Sequence, residues 1–152
     1  MEIINGERLV LGTCYYPEHW DESLWRDDLK RMLENGIEVI RIAEFAWSKI
    51  ERYEGVFNYD FFDRFLDVAA DMGMKVIFCT PTATPPAWLT EKYPEVLNAN
   101  MDGVLYRHGG RRHYNYNSPK YQELTRIIVE KSASHYAKHP AIIGWQIDNE
   151  LN

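Results

Sequence analysis

Cysteine is scarce in this sequence, with Cys14 and Cys79 the two thiols among 152 residues. Two cysteines so far apart exclude a disulfide framework and a cysteine-built zinc cage. Positive charge is also in short supply: 17 Lys and Arg face 23 Asp and Glu, a net charge of −6. That balance excludes an electrostatic footprint for nucleic acid. The one basic cluster, Arg107 to Arg112, is local and lies in a polar, Gly-containing stretch. No apolar run approaches the roughly 20 residues needed to cross a bilayer, so no membrane partner is expected. Met1 to Gly12 has no basic start followed by an apolar run, and no secretory leader is read there. Free thiols without such a leader point to a reducing, cytoplasmic compartment. Low-complexity segments and linkers are missing too, so residues 1–152 are expected to form one domain unit.

Aromatic residues, by contrast, are plentiful, with five Trp and ten Tyr. Flat rings can serve a core or lie against sugar faces, and composition alone leaves both open. Four apolar runs of strand length stand out: Leu9 to Cys14, Glu38 to Ala43, Lys75 to Thr80 and Ala141 to Ile147. Each is nearly continuous and partly β-branched, as expected of strands buried on both faces of a parallel sheet. Helical patterns lie between them. Glu22 to Asn35 carries Leu24, Trp25, Leu29, Met32 and Leu33 on one stripe, with Asp21 as N-cap and Gly36 as the stop. Tyr59 to Met72 carries Phe61, Phe62, Phe65, Leu66, Ala69 and Met72, with Asn58 as cap and Gly73 beyond. A third helix starts at Ser118 and Pro119 and ends near Lys138, before Pro140. Strand and helix alternate, which predicts an α/β fold with parallel strands.

The connection from Pro81 to Asn117 is unusually long, with at most a short helix at Pro86 to Lys92. Connections this long in compact domains are usually functional or disordered. It follows the C-terminal end of a strand, the face that carries the active site in α/β barrels. Polar and aromatic residues follow every strand. Tyr15 to Trp20 come after the first, Arg41, Glu44, Phe45 and Trp47 lie on and after the second, Thr82, Thr84 and Trp88 come after the third, and Asp148, Asn149 and Glu150 follow the fourth. Four strand ends that gather ionisable and aromatic side chains point to a sugar-processing site.

Glycoside hydrolysis needs two carboxyl groups flanking the scissile bond, one of them a proton donor. Such a donor keeps its proton when it is partly desolvated or close to another anion. Glu150 has the position for it, directly after the run Ile142 to Ile147, with Asn149 beside it to bond a sugar hydroxyl. A bare Asn-Glu pair is equally compatible with the opening of an ordinary loop. Arg41 has the chemistry to orient a carboxylate or a sugar hydroxyl, or to form a structural ion pair with Glu44 or Glu38. Trp20, Trp47 and Trp88 either touch sugar or wall the site.

Five segments carry a family resemblance. Gly12-Thr13-Cys14-Tyr15-Tyr16-Pro17-Glu18-His19-Trp20 and Arg41-Ile42-Ala43-Glu44-Phe45-Ala46-Trp47-Ser48 are the first two. Thr80-Pro81-Thr82-Ala83-Thr84-Pro85-Pro86-Ala87-Trp88-Leu89 is the third, and Arg111-Arg112-His113-Tyr114 with Asn117-Ser118-Pro119 the fourth. Gly144-Trp145-Gln146-Ile147-Asp148-Asn149-Glu150 closes the series. In this order, and over essentially the whole chain, they resemble the first half of glycoside hydrolase family 42 β-galactosidases. The resemblance implies a TIM-barrel type fold of which residues 1–152 supply the first four strands, a half barrel. It implies a retaining β-galactosidase that releases terminal β-linked galactose through a galactosyl-enzyme intermediate. Glu150 would be the general acid/base and Asn149 a sugar-binding neighbour. Arg111 would be the loop arginine of the galactose subsite, with Arg112 in its place if the alignment slips by one, and Arg41 would stand near the nucleophile.

Two departures qualify that picture. Some family members hold a structural zinc through a cysteine in the long loop, where this sequence has Asn115, so no metal is expected. His19, His108 and His113 have no metal-ligand spacing, Cys14 and Cys79 are read as small core residues, and no cofactor is expected. The family's nucleophile is a glutamate on the seventh strand, beyond Asn152. A complete eight-unit barrel needs about 250 residues, so the chain is read as an excerpt or truncated product, inactive alone, whose partner is the missing C-terminal half barrel. A homo-oligomer is compatible with the family. Two other readings stay open: a non-catalytic half-barrel module that binds carbohydrate or assembles, and a related retaining β-glycosidase acting on another sugar.

Overall fold

The computed structural model of the protein describes residues 9–110 and 112–150. Two compact units make up the chain. One comprises the residues up to Ala43 together with Tyr59–Cys79 and Tyr136–Ile147, and the other Glu44–Asn58, Thr80–His135 and the residues from Asp148 on.

The first unit contains a four-stranded sheet, β1 (Leu11–Cys14), β2 (Ile37–Ile42), β5 (Lys75–Cys79) and β6 (Ile142–Gln146). All neighbours are parallel and the spatial order follows the chain, β1-β2-β5-β6. The four apolar runs therefore become the four strands, β2 shifted by one residue from its run and the other three a residue or two shorter than theirs. On the central strands one face is fully buried, at Ile40, Ile42, Val76 and Phe78, while Arg41 and Ile77 on the opposite face are half-buried. Burial fails altogether for β1, whose four residues are all exposed, and β6 is half-buried throughout. These two are the edges of the sheet, and an edge strand has a neighbour on one side only.

Helix α1 (Trp25–Glu34) is preceded by a 3-10 turn at Glu22–Leu24, so the expected first helical turn is wound more tightly. Asp21 does cap it, accepting the Ser23 amide at 2.9 Å. Helix α3 (Asp60–Asp71) buries Phe62, Phe65, Leu66 and Ala69. The expected Asn58 cap is not used: Tyr59 precedes the helix without a side-chain cap bond, and the Asn58 amide donates to Ile50 O at 2.8 Å. At the far end Gly73 takes φ +78°, Gly73 N donates to Ala70 O at 3.1 Å and Met74 N to Ala69 O at 2.9 Å. That pair of bonds is a Schellman motif, and it returns the chain to β5. Trp25 packs edge-on against Phe61 and Phe65, both at 5.1 Å, while Phe78 contacts Tyr136 at 4.8 Å. Tyr15 stacks on Phe65 and donates its hydroxyl to Asp28 at 2.8 Å, and burial with that carboxylate pushes its phenol above the usual range.

The second unit begins with a short helix α2 (Trp47–Ile50) and a two-stranded antiparallel hairpin, β3 (Glu51–Tyr53) with β4 (Val56–Phe57). The hairpin was not foreseen, because its strands are too short to show alternation. The long connection is not structureless. A 3-10 turn at Pro81–Ala83, helix α4 (Ala87–Lys92) and another turn at Pro94–Val96 lead to two antiparallel bridges, Leu97 with Tyr114 and Ala99 with Leu105. Helix α5 (Pro119–Tyr136) then starts where Ser118 and Pro119 predicted. Tyr121 N donates to Ser118 Oγ at 3.4 Å, and the helix stops two residues before the expected Lys138. Trp47, Ile50, Leu89, Tyr114 and Ile128 fill this unit's core.

Candidate active site

In the first unit, Arg41 projects from β2, half-buried. Its Nη1 donates to Gln146 Oε1 at 2.5 Å and its Nη2 to Cys14 Sγ at 2.9 Å. Gln146 ends β6 and Cys14 ends β1, so the guanidinium ties the C-terminal tips of three strands together. A planar five-donor head on a long stem suits that reach. Cys79 is buried, as expected of a small core residue, whereas Cys14 is exposed. The correction follows from its place on the edge strand. Trp20 is 54% exposed.

In the second unit, the residues after β6 form a tight turn in which Asp148 has φ +54° and Glu150 φ +50°. Left-handed backbone is costly for residues other than glycine and recurs at functional sites, where surrounding contacts hold it. Asp148 is buried, Asn149 half-buried, and the Glu150 side chain is 59% exposed. In this chain taken alone, the Glu150 carboxyl therefore meets solvent on more than half of its surface. Its neighbour is a cation: Arg112 Nη2 stands 3.8 Å from Glu150 Oε2 and donates to Asn149 O at 3.2 Å. Arg112 itself has φ +57°. Arg111, the first choice for the loop arginine, lies outside the described residues.

Thr82 and Asp148, polar residues expected at the strand ends, are joined here to Thr80 by bonds that the sequence does not reveal. Asp148 N donates to Thr80 Oγ1 at 2.7 Å, Thr82 Oγ1 donates to Asp148 Oδ2 at 2.8 Å, and Tyr121 OH donates to Thr82 O at 2.7 Å. The nearby charge of Asp148, with burial as the larger cause, pushes the Tyr121 phenol up. A signal was available in Thr80-x-Thr82, two buried hydroxyls closing a strand, and in an Asp directly before Asn-Glu.

Trp47 is fully buried and donates its indole N–H to Glu51 Oε2 at 2.7 Å, so it is a core residue and does not face a ligand. Trp88 is half-buried, its indole N–H held by Glu51 O at 3.0 Å. His113 is buried with Nδ1 2.6 Å from Gly110 O and its ring edge-on to His108 at 4.8 Å. Burial, with His113 nearby, holds His108 below the ordinary histidine range. Among the described residues, no three His, Cys, Asp or Glu side chains gather as a metal set.

The solved structures define the class first. A β-galactosidase from the psychrophilic Marinomonas ef1 superposes with a TM-score of 0.91 at 43% identity, covering 94% of this chain and 22% of that one. The Halorubrum lacusprofundi β-galactosidase gives 0.90, also at 43% identity, over 94% of this chain and 21% of that one. The fold is α/β of the TIM-barrel type, represented by four parallel strands with their helices. The family model for glycoside hydrolase family 42, described as β-galactosidase, matches residues 14–152, and the chain belongs to that family. Among curated relatives, β-galactosidase BgaA of a Thermus species is 46% identical over 93% of this chain and 22% of its own length. β-Galactosidase Bga of Halorubrum lacusprofundi is 44% identical over 93% of this chain and 20% of its own. The chain therefore spans about a fifth of the length of the curated relatives it matches.

Proposed function

We propose that this chain is the first half of the (β/α)8 catalytic domain of a retaining β-galactosidase, with Glu150 as general acid/base. The observation that carries the reading is the family match running through the Asn149-Glu150 pair, directly after the fourth parallel strand. In the first step Glu150 gives its proton to the glycosidic oxygen as the bond to the anomeric carbon breaks. A glutamate from the remainder of the barrel attacks that carbon, forming the galactosyl-enzyme. Glu150, now ionised, then takes a proton from the water that releases galactose. Asn149 bonds a sugar hydroxyl, the 2-OH. Arg111 serves the galactose subsite, or Arg112, whose guanidinium is within reach of Asn149 and Glu150. Arg41 lies toward the nucleophile. We place the protein in the cytoplasm, in keeping with two free thiols.

The galactoside is the substrate and the C-terminal half barrel the required partner, since one of the two carboxylates lies outside this chain. Purified as 152 residues, the chain is expected to show negligible turnover of a nitrophenyl β-galactoside. The full-length enzyme is expected to cleave it and to lose that activity in Glu150→Gln. Turnover by the short chain that Glu150→Gln abolishes would overturn the half-barrel assignment. A full-length enzyme indifferent to Glu150→Gln would overturn the acid/base assignment.

A further inference from the structure

Asp148 holds the turn that carries the candidate acid/base. It is 8% exposed, and Thr80 and Thr82, the hydroxyl residues it meets, are 2% exposed each. The directions of the bonds can be assigned from donor counts. Thr82 has one hydroxyl hydrogen, which goes to Asp148 Oδ2 at 2.8 Å, because an ionised carboxylate only accepts. Thr80 Oγ1 accepts the Asp148 amide at 2.7 Å, which leaves its own hydrogen for Thr82 Oγ1 at 3.4 Å. The three residues thus form a closed ring, Asp148 N–H to Thr80, Thr80 to Thr82, and Thr82 back to the Asp148 carboxylate. The remaining oxygen, Asp148 Oδ1, accepts the Asn149 amide at 2.6 Å. The two carboxylate oxygens therefore do separate things: one anchors the turn to the segment after β5, the other bends the backbone into the next residue.

That bend is where the strain lies. Asp148 has φ +54° and Glu150 φ +50°. Aspartate tolerates the left-handed region because its short carboxylate can bond its own backbone, as the contact to Asn149 N does here. Glutamate has no such local compensation, so its conformation depends on what fixes the residues before it. Thr82 is fixed in turn, since its carbonyl accepts Tyr121 OH at 2.7 Å and Tyr121 stacks on Tyr114 at 4.8 Å. On the other side, Arg112 Nη2 donates to Asn149 O at 3.2 Å.

We propose that Asp148 is the positioning residue of the acid/base: its carboxylate, locked to Thr80 and Thr82, sets the left-handed turn that aims Glu150. The proposal rests on the assignment of Glu150 as general acid/base. It adds a residue that acts through the backbone of Asn149 and Glu150. Replacing Asp148 by Asn keeps the volume but leaves one acceptor where the carboxylate offered two, so one arm of the turn comes loose.

The test is made in the full-length enzyme with two galactosides, one with a dinitrophenyl leaving group that departs without a proton and one with an alkyl leaving group that requires it. Values of kcat/KM isolate the first chemical step. Asp148→Asn is expected to lower kcat/KM for the alkyl galactoside by about 10–100-fold, the scale of a displaced acid, and for the dinitrophenyl galactoside by less than about 3-fold. Thr82→Val is expected to show the same pattern more weakly, and Thr82→Ser to restore the unsubstituted profile; these variants decide the matter if Asp148→Asn does not fold. Equal losses on both substrates, or none, would overturn the proposal, since a merely structural role lowers both alike. Glu150→Gln serves as the reference. If it spares the dinitrophenyl substrate while Asp148→Asn does not, the positioning role alone fails. If Glu150→Gln shows no dependence on leaving group, the acid/base assignment fails and the positioning role with it.

Discussion

Glu51 accepts the indole N–H of Trp47 at 2.7 Å while its other carboxylate oxygen accepts Gly55 N at 2.8 Å. Both Glu51 and Trp47 are buried, at 2% and 0% exposure. Removing the carboxylate strands one buried donor, the Trp47 indole N–H, at a cost of about 1–3 kcal/mol, while the exposed Gly55 amide can turn to water. Glu51→Ala is therefore expected to destabilise the chain by about 1–3 kcal/mol in urea unfolding at neutral pH. Burial pushes the Glu51 carboxyl up, against the two hydrogen bonds that favour its charge. A raised folded-state value means this group favours folding most fully at low pH and loses that contribution as pH rises through it. Glu51→Gln should remove that slope, and an unchanged pH dependence would count against the assignment.

Glu54 behaves in the opposite sense. The Lys92 ammonium and the Tyr93 hydroxyl, the latter at 2.8 Å, hold its carboxyl below the usual glutamate range. A depressed value gives stability that is present above the ordinary glutamate range and disappears as pH falls through the lowered one. Thermal midpoints of the unsubstituted chain and Glu54→Gln should therefore differ at neutral pH and converge in acid. The pair is exposed, so added salt should narrow the neutral-pH gap.

Gly73 isolates a backbone effect. Its φ is +78°, and a Cβ built there would meet nothing within 4 Å. Gly73→Ala thus costs only the left-handed conformation, about 1–2 kcal/mol, with no steric addition. Gly73→Asn should cost less, because asparagine visits that region more readily. Equal losses from Ala and Asn would mean that side-chain contact rather than φ is responsible.

How far the sequence reveals this architecture depends on scale. Strands such as Lys75–Cys79 and the helix start at Ser118-Pro119 were legible because apolar runs and caps are local signals. The β3–β4 hairpin was not, since five strand residues carry no period. The exposure of β1 escaped prediction because a run of Leu, Gly, Thr and Cys reads the same at the edge of a sheet as at its centre. At the candidate site, Asn149 and Glu150 were found from their motif. Thr82 and Asp148 were legible as strand-end polar residues, but their link to each other and to Thr80 was not, because it joins positions 66 and 68 residues apart. The Arg112 contact to Asn149 is equally non-local.

Cys14 and Cys79 should separate by reactivity. Cys14 is exposed at the sheet edge with a guanidinium 2.9 Å from its sulfur, while Cys79 is buried beside β6. Thiol reagents attack the thiolate of accessible cysteines and spare buried ones. The native chain is therefore expected to take up one equivalent of a maleimide, at Cys14, and a second only in denaturant. Mass spectrometry of the labelled peptides distinguishes the two positions. Labelling of Cys79 at a comparable rate under native conditions would show that the sheet opens faster than its parallel pairing implies.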